Sequence, residues 1–287
     1  MHGACPLSLQ EGGIDVIGDG QVIGGVPLLE LRNISKWFGG LCAVDDVSLA
    51  VNSGEVLGLL GHNGAGKSTV IKMVSGVIMR DAGTILLSGS PAPINTPHDA
   101  RQLGIETIYQ DLALLDNLDA SANLFLGREI RKRSGLRDDR AMAKAAAEAL
   151  HRVNPRFTNF TEPVKRLSGG QRQAIAIARA LHFDARILIL DEPTAALGPR
   201  ETELFKELVL RVKQEGVGVL LISHSINDVL ELTDRLAVMA GGRLIATRKT
   251  SETSENEVLE MIIVGGTEAV PAYRAGSEGP VTISSGE

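Results

Sequence analysis

The run Val56-Leu57-Gly58-Leu59-Leu60 followed by Gly61-His62-Asn63-Gly64-Ala65-Gly66-Lys67-Ser68-Thr69 restricts this chain more than any other stretch of it. A short apolar run that stops at a glycine reads as a buried strand, and a helix is expected from about Gly66 to Ser75. A buried strand feeding a helix through a tight loop is the opening of a βα unit, which requires a parallel sheet. The spacing G-x-x-x-x-G-K-[ST] adds chemistry to that geometry. Glycines let the backbone wrap closely around an anion with its N–H groups turned inward. The helix behind the loop offers its positive end to the same anion. Lys67 then supplies a point charge to β- and γ-phosphates, and the Ser68 hydroxyl is placed to ligate Mg²⁺. The expected nucleotide-binding loop is therefore Gly61, His62, Asn63, Gly64, Ala65, Gly66, Lys67, Ser68 and Thr69. A chance glycine-rich turn would lack the flanking strand and helix.

Beyond the loop, Leu28–Ile34, Val47–Val51, Ile85–Ser88 and Ile105–Tyr109 read as strands, with a short helix starting at Thr96-Pro97. Strand signals then vanish between Ala120 and His182, where Met142, Ala146, Ala149, Leu150 and Val153 recur at helical spacing. Afterwards Ile187–Leu190, Glu201–Lys213, Val217–Ile222, Ile226–Leu232 and Leu236–Met239 alternate strand with helix. The expected class is α/β, with an antiparallel β portion and an α-helical subdomain inserted at about residues 111–180. The glycine-rich stretch before Leu28 reads as a flexible leader over 1–27, the patterned domain spans 28–265, and 266–287 reads as a flexible tail.

Two further constellations carry chemistry. Ile187-Leu188-Ile189-Leu190 ends in Asp191 and Glu192, and a buried strand of an open α/β sheet delivers its last residues to the ligand crevice. Asp191 is suited to a Mg²⁺ shell and Glu192 to polarising an attacking water. Acids before Pro193 also suit an ordinary turn, and the upstream phosphate loop shifts the balance toward chemistry. Ser168-Gly169-Gly170-Gln171 has the form of a capping box ahead of the apolar-periodic AIAIARAL. Two glycines at a helix start cost about 1 kcal/mol each where they are helical, which close approach of a phosphate would account for.

Leu167-Ser168-Gly169-Gly170-Gln171, the Walker-B-like ILILDE and GHNGAGKST together resemble the nucleotide-binding subunit of an ABC transporter, over about Leu28 to Gly265. The resemblance implies a P-loop NTPase (RecA-like) core and an ATPase that uses ATP with Mg²⁺. It places Gln110 at the position that links Mg²⁺ and the reacting water to the helical subdomain, and His224 where it contacts the γ-phosphate. Phe38 resembles the aromatic that stacks on adenine, with Trp37 as the alternative. The resemblance also implies that Ser168, Gly169, Gly170 and Gln171 bind the ATP held by the loop of an opposite subunit. One loop and one signature per chain then call for a head-to-tail dimer. Relatives carry an aspartate that helps the two sites communicate where this chain has Gly198.

The run IETIYQDLALLDNLDASANLFLGREI resembles the branch that imports ribose-, xylose- or fructose-like monosaccharides, which implies a separate integral membrane permease and a periplasmic or extracellular sugar-binding protein. The permease contact is expected near Gln110–Gly127, at the cytoplasmic face of the cell membrane. The chain has no apolar run of the about 18–20 residues that cross a bilayer, no secretory signal, and two cysteines without metal spacing, which point to a reducing cytoplasm. The competing readings are a non-transport ABC ATPase acting on ribosomes or DNA and the motor of a non-sugar ABC transporter, and a weaker one is an isolated nucleotide sensor. Against nucleic acid stand a net charge of −6 and an aromatic content of 3%. The basic run Arg128–Arg137 reads as a solvated helical face.

Overall fold

The computed structural model describes residues 25–195 and 197–268. Two sheets are stacked around the strand that precedes the phosphate loop. The first is antiparallel, in the order β2-β1-β4-β5, from β1 (Leu29–Phe38), β2 (Leu41–Val51), β4 (Ala82–Leu87) and β5 (Ser90–Pro91). The second, in the order β10-β9-β3-β8-β7-β6, contains β3 (Val56–Leu60), β6 (Ile105–Ile108), β7 (Ile187–Asp191), β8 (Gly218–Ile222), β9 (Arg235–Ala240) and β10 (Arg243–Lys249). Its strands pair in parallel from β9 to β6, and β10 closes one edge antiparallel to β9. The helices are α1 (Lys67–Val74), α2 (Pro97–Gln102), α3 (Ala120–Leu124), α4 (Asp139–Val153), α5 (Gly169–His182), α6 (Pro199–Gln214), α7 (Ile226–Leu232) and α8 (Glu255–Glu268).

The apolar runs read from the sequence are continuous because the parallel strands are buried on both faces. Successive side chains on a strand point to opposite faces, and here they enter two different cores. Leu188 and Leu190 of β7, Val219 and Leu221 of β8, and Leu236 and Val238 of β9 join α3–α7 in one core. Ile187, Ile189, Leu220, Ile222, Ala237 and Met239 join α1 and the antiparallel sheet in the other. The helical section between β6 and β7 thus has no separate interior. Leu124, Met142 and Leu150 pack into the same core as Leu188 and Val219.

Local chemistry sets several boundaries. Thr96 and Ser168 each close a reciprocal capping box, with Asp99 and Gln171, at the starts of α2 and α5. Asp138 and Asp119 cap α4 and α3. β10, α3 and α8 are elements the sequence pattern did not announce. α8 runs to Glu268, three residues into the stretch assigned to the tail. Residues 1–24 of the expected leader and 269–287 of the expected tail lie outside the described residues.

The turn after β6 is held by Asn123, which is fully buried. Its side-chain oxygen accepts the Leu115 N–H at 2.7 Å, and its Nδ2 donates to the carbonyls of Leu115, Leu118 and Asp119 at 3.0–3.2 Å. Asn123→Ala strands the Leu115 amide and is expected to lower the unfolding free energy by about 2–3 kcal/mol in urea titration. A change within experimental error would show that water replaces these bonds.

Candidate nucleotide site

The ladder places the site. Leu59 of β3 pairs with Ile222 of β8, Ile222 pairs with Asp191 of β7, and Leu190 beside it pairs with Ile108 of β6. These carboxyl ends lie nearly level, so the residues just past them gather at one edge of the sheet: the Gly61–Thr69 loop, His224, Glu192 and Gln110.

The loop is held by its own backbone requirements. Gly61 and Gly66 have φ of +152° and +102°. A Cβ at Gly61 would lie 2.3 Å from the Met239 carbonyl oxygen, and one at Gly66 would lie 2.7 Å from that of Ala43. Lys67 is buried, and its Nζ donates to the carbonyls of Gly61 at 2.7 Å and His62 at 3.1 Å. Burial pushes its ammonium below the ordinary lysine range, against the attraction of Glu192 and Asp191. His62, Asn63, Gly64 and Ser68 are exposed, Thr69 is half-buried and Ala65 is buried. His62 Nδ1 lies 2.7 Å from the Asn63 carbonyl. No side chain caps the N-terminus of α1, so its positive end faces the loop.

Glu192 has φ +49°, a left-handed backbone that is uncommon outside glycine. Its N–H donates to the Ile222 carbonyl at 2.9 Å, which ties it to β8. That turn sends its Oε2 to within 3.2 Å of His224 Nδ1, so the two residues expected to serve the reacting end of the nucleotide face one another. The His224 side chain is 63% exposed and is open to a ligand. Asp191 is half-buried, and its carboxyl is pushed above the ordinary aspartate range by burial and then by Glu192, with Lys67 opposing.

Gln110 is exposed one strand along from Asp191, with no hydrogen bond to it among the described residues. Its neighbour Tyr109 hydrogen-bonds Ser75 at the end of α1, at 3.2 Å. Trp37 and Phe38 close β1 at 38% and 49% exposure, and Lys36 Nζ lies 5.6 Å from the Phe38 ring centroid. The β1–β2 turn that follows them leads to Ala43, whose carbonyl abuts Gly66, so both rings remain candidates for a base beside the loop.

Among the described residues no hydrogen bond joins Ser168–Gln171 to the Gly61–Thr69 loop; beyond the bonds between Ser168 and Gln171 themselves, its hydrogen-bond partner is Glu201 of α6. A Cβ at Gly169 would lie 2.6 Å from Leu197 Cδ2 and 3.3 Å from Glu201 Oε2, so a larger residue there would displace the Leu197 side chain, whereas a Cβ at Gly170 would meet nothing closer than 3.9 Å. Glu201 Oε1 accepts the Gly169 N–H at 3.0 Å. Glu201 was absent from the residues singled out in the sequence, although Gly198-Pro199-Arg200-Glu201 carries the spacing of a helix start with a reciprocal acid.

The donor set suits Mg²⁺: an exposed hydroxyl at Ser68 and a half-buried carboxylate at Asp191, whose charge a cation would relieve. Among the described residues no group of three or more His, Cys, Asp or Glu side chains could form an all-protein metal cage. Mg²⁺ held by few protein ligands and substrate phosphates needs none.

Comparison with known proteins agrees with this geometry. The profile of the ABC transporter family matches residues 44–195. The chain belongs to the ABC transporter family. It is an ATPase cassette of that family. The chain is 44% identical to a xylose/arabinose import ATP-binding protein of Sulfolobus acidocaldarius over 82% of this chain and 93% of that one. It is 41% identical to a ribose import ATP-binding protein of Hahella chejuensis, but spans only 47% of that longer relative. Its fold matches the ADP conformation of an ATP-binding cassette of an ABC transporter with TM-score 0.72 and 28% identity, over 83% of this chain and 98% of that one. It also matches a dimeric post-hydrolysis cassette bound to ADP and Pi, with TM-score 0.64 and 25% identity over 77% and 98%.

The Asp191 carboxyl is held above its unfolded-state value, so the folded chain binds that proton more tightly. Its contribution to stability is lost as pH rises from the ordinary 3.8 through the raised folded value. Asp191→Asn removes that penalty. The nucleotide-free variant is expected to be more stable than the parent at pH 7 in chemical denaturation, with the difference shrinking toward pH 4, while MgATP turnover is lost. Equal stabilities across this range would show that Lys67 already neutralises Asp191.

Proposed function

We propose that this cassette is the motor of a monosaccharide importer, acting as a head-to-tail dimer of two copies docked on a separate membrane permease at the cytoplasmic face. The carrying observation is the meeting of Glu192 and His224, 3.2 Å apart, beside the Lys67 loop, while no hydrogen bond among the described residues joins the signature of the same chain to that loop. A second cassette facing the first would bring its Ser168, Gly169, Gly170 and Gln171 to the nucleotide on this loop. The dimeric cassette with ADP and Pi and the single-module xylose/arabinose relative support the reading.

The loop N–H groups and the end of α1 bind the phosphates, and Lys67 turns from the loop carbonyls to the β- and γ-oxygens. Phe38 or Trp37 stacks on the adenine. Ser68, Asp191 and, through water, Gln110 would hold Mg²⁺, which neutralises phosphate charge when bound. Glu192 acts as general base or orients the attacking water, and His224, held by Glu192, steadies charge on the γ-phosphate. Dimer closure then passes to the permease through the helical section near Gln110–Gly127 as rigid-body motion. Among the described residues no helix is long and apolar enough to cross a membrane, so that path needs a further chain or segment. Sugar selectivity would lie in the permease and in an extracellular or periplasmic binding protein.

Glu192→Gln is expected to lower turnover at saturating MgATP by about 10²-fold or more while ATP still binds. Wild-type turnover would remove Glu192 from that role. Lys67→Ala should abolish ATP binding in equilibrium titration, and unchanged affinity would defeat the assignment of the loop. Affinity purification from solubilised native membranes should recover a permease and a sugar-binding protein. Recovery of ribosomal or DNA-repair proteins instead would favour the non-transport reading.

A further inference from the structure

The turn between Glu192 and α6 is clamped to the signature helix from both ends. At one end the buried Gln173 side chain of α5 donates through Nε2 to the Pro193 carbonyl, the residue next to Glu192. At the other, the Glu201 carboxylate accepts two backbone donors, the Gly169 N–H at 3.0 Å and the Gly198 N–H at 3.3 Å. Leu197 fills the space that a side chain at Gly169 would need. Between these ends, Thr194 Oγ1 donates to Asp228 at 2.8 Å on α7, the helix that follows His224.

The state of the N–H groups at the start of α5 decides what Glu201 does. The first, on Gly169, is taken by Glu201. The third, on Gln171, is taken by Ser168 Oγ, and the Gln171 side chain returns to the Ser168 N–H. Neither the helix nor a side chain among the described residues supplies a partner for the second, on Gly170. Gly170 is buried, so with its flanking donors satisfied internally the helix start offers the exposed Ser168 hydroxyl as its accessible polar group. The carboxylate at this junction comes from the first turn of α6.

We propose that Glu201 is a positioning residue for the signature. By joining the Gly169 and Gly198 amides through one carboxylate, it fixes the start of α5 against the turn that carries Glu192, and so aims the Ser168 hydroxyl at the γ-phosphate held by a facing chain. Glu201 touches no reacting atom; it acts through Gly169. The same clamp gives each signature a covalently short route to the Glu192 of its own chain. This inference rests on the facing-dimer reading above.

The test uses the full chain with Glu192→Gln, so that ATP is retained, alone and combined with Glu201→Ala or Glu201→Gln. Two quantities separate the roles. The affinity of the dilute monomer for a fluorescent ATP analogue reports its own loop, and the MgATP concentration at half-maximal dimerisation, from sedimentation velocity, reports the facing signature. Glu201→Ala should leave the first within about twofold and raise the second about tenfold, equivalent to about 1.4 kcal/mol. Glu201→Gln should recover part of that loss, because its side-chain oxygen still accepts the Gly169 N–H. An unchanged dimerisation midpoint with a lowered melting temperature would overturn the proposal and leave Glu201 as a cap of α6. Dimerisation at lower ATP would also overturn it, showing that the carboxylate competes with the phosphate. If the chain carrying only Glu192→Gln stays monomeric at saturating MgATP, the facing-dimer reading fails first and this inference falls with it.

Discussion

The register of the parallel ladder β3-β8-β7-β6 is the constraint on which the remainder of the molecule depends. These strands are buried on both faces, and each alternates its side chains between two cores. A slip of one residue would exchange the two cores' contents along a whole strand, so the pairing is strongly specified. Because Leu59, Ile222 and Asp191 come level in that register, the next residues of each strand converge without any long-range contact designed for them. The arrangement of the proposed site is a consequence of where buried strands are allowed to stop.

That arrangement opposes stability. Lys67 is buried, which depresses its ammonium, and Asp191 and Glu192 crowd two acids at one strand end, which raises Asp191. Glu192 adds a left-handed backbone, held by its amide bond to Ile222. A bound anion beside Lys67 and a cation beside Asp191 would each relieve the charge burden of the empty fold. Elsewhere the chain satisfies local rules: Asn123 meets its turn, and Thr96, Asp119, Asp138 and Ser168 cap their helices.

Much of this was legible because periodicity and capping are local properties. Val56–Leu60 and Ile226–Leu232 match their observed limits, and the helix expected from about Gly66 to Ser75 forms between those two residues as caps. β10 escaped because Arg243–Lys249 is half-exposed and polar, and forms by lining an edge of β9 rather than by its own apolar pattern. α3 is too short to show a period, and α8 lies where a glycine pair at 265–266 suggested the end of order. Gly169 shows the same limit in the site. Its residue type was noticed, but its neighbours Leu197 and Glu201 lie about 30 residues away and are visible only in three dimensions.

By itself the sequence determined the phosphate loop, the two acids, the signature helix start and the family, because each is a contiguous pattern whose chemistry depends on spacing along the chain. Tertiary structure decided how these pieces address one another. It placed His224 on Glu192 and brought the Glu201 carboxylate to Gly169. Those relations depend on strand register and on helices packed across a shared core. Such contacts join residues far apart in sequence, and no local spacing encodes them.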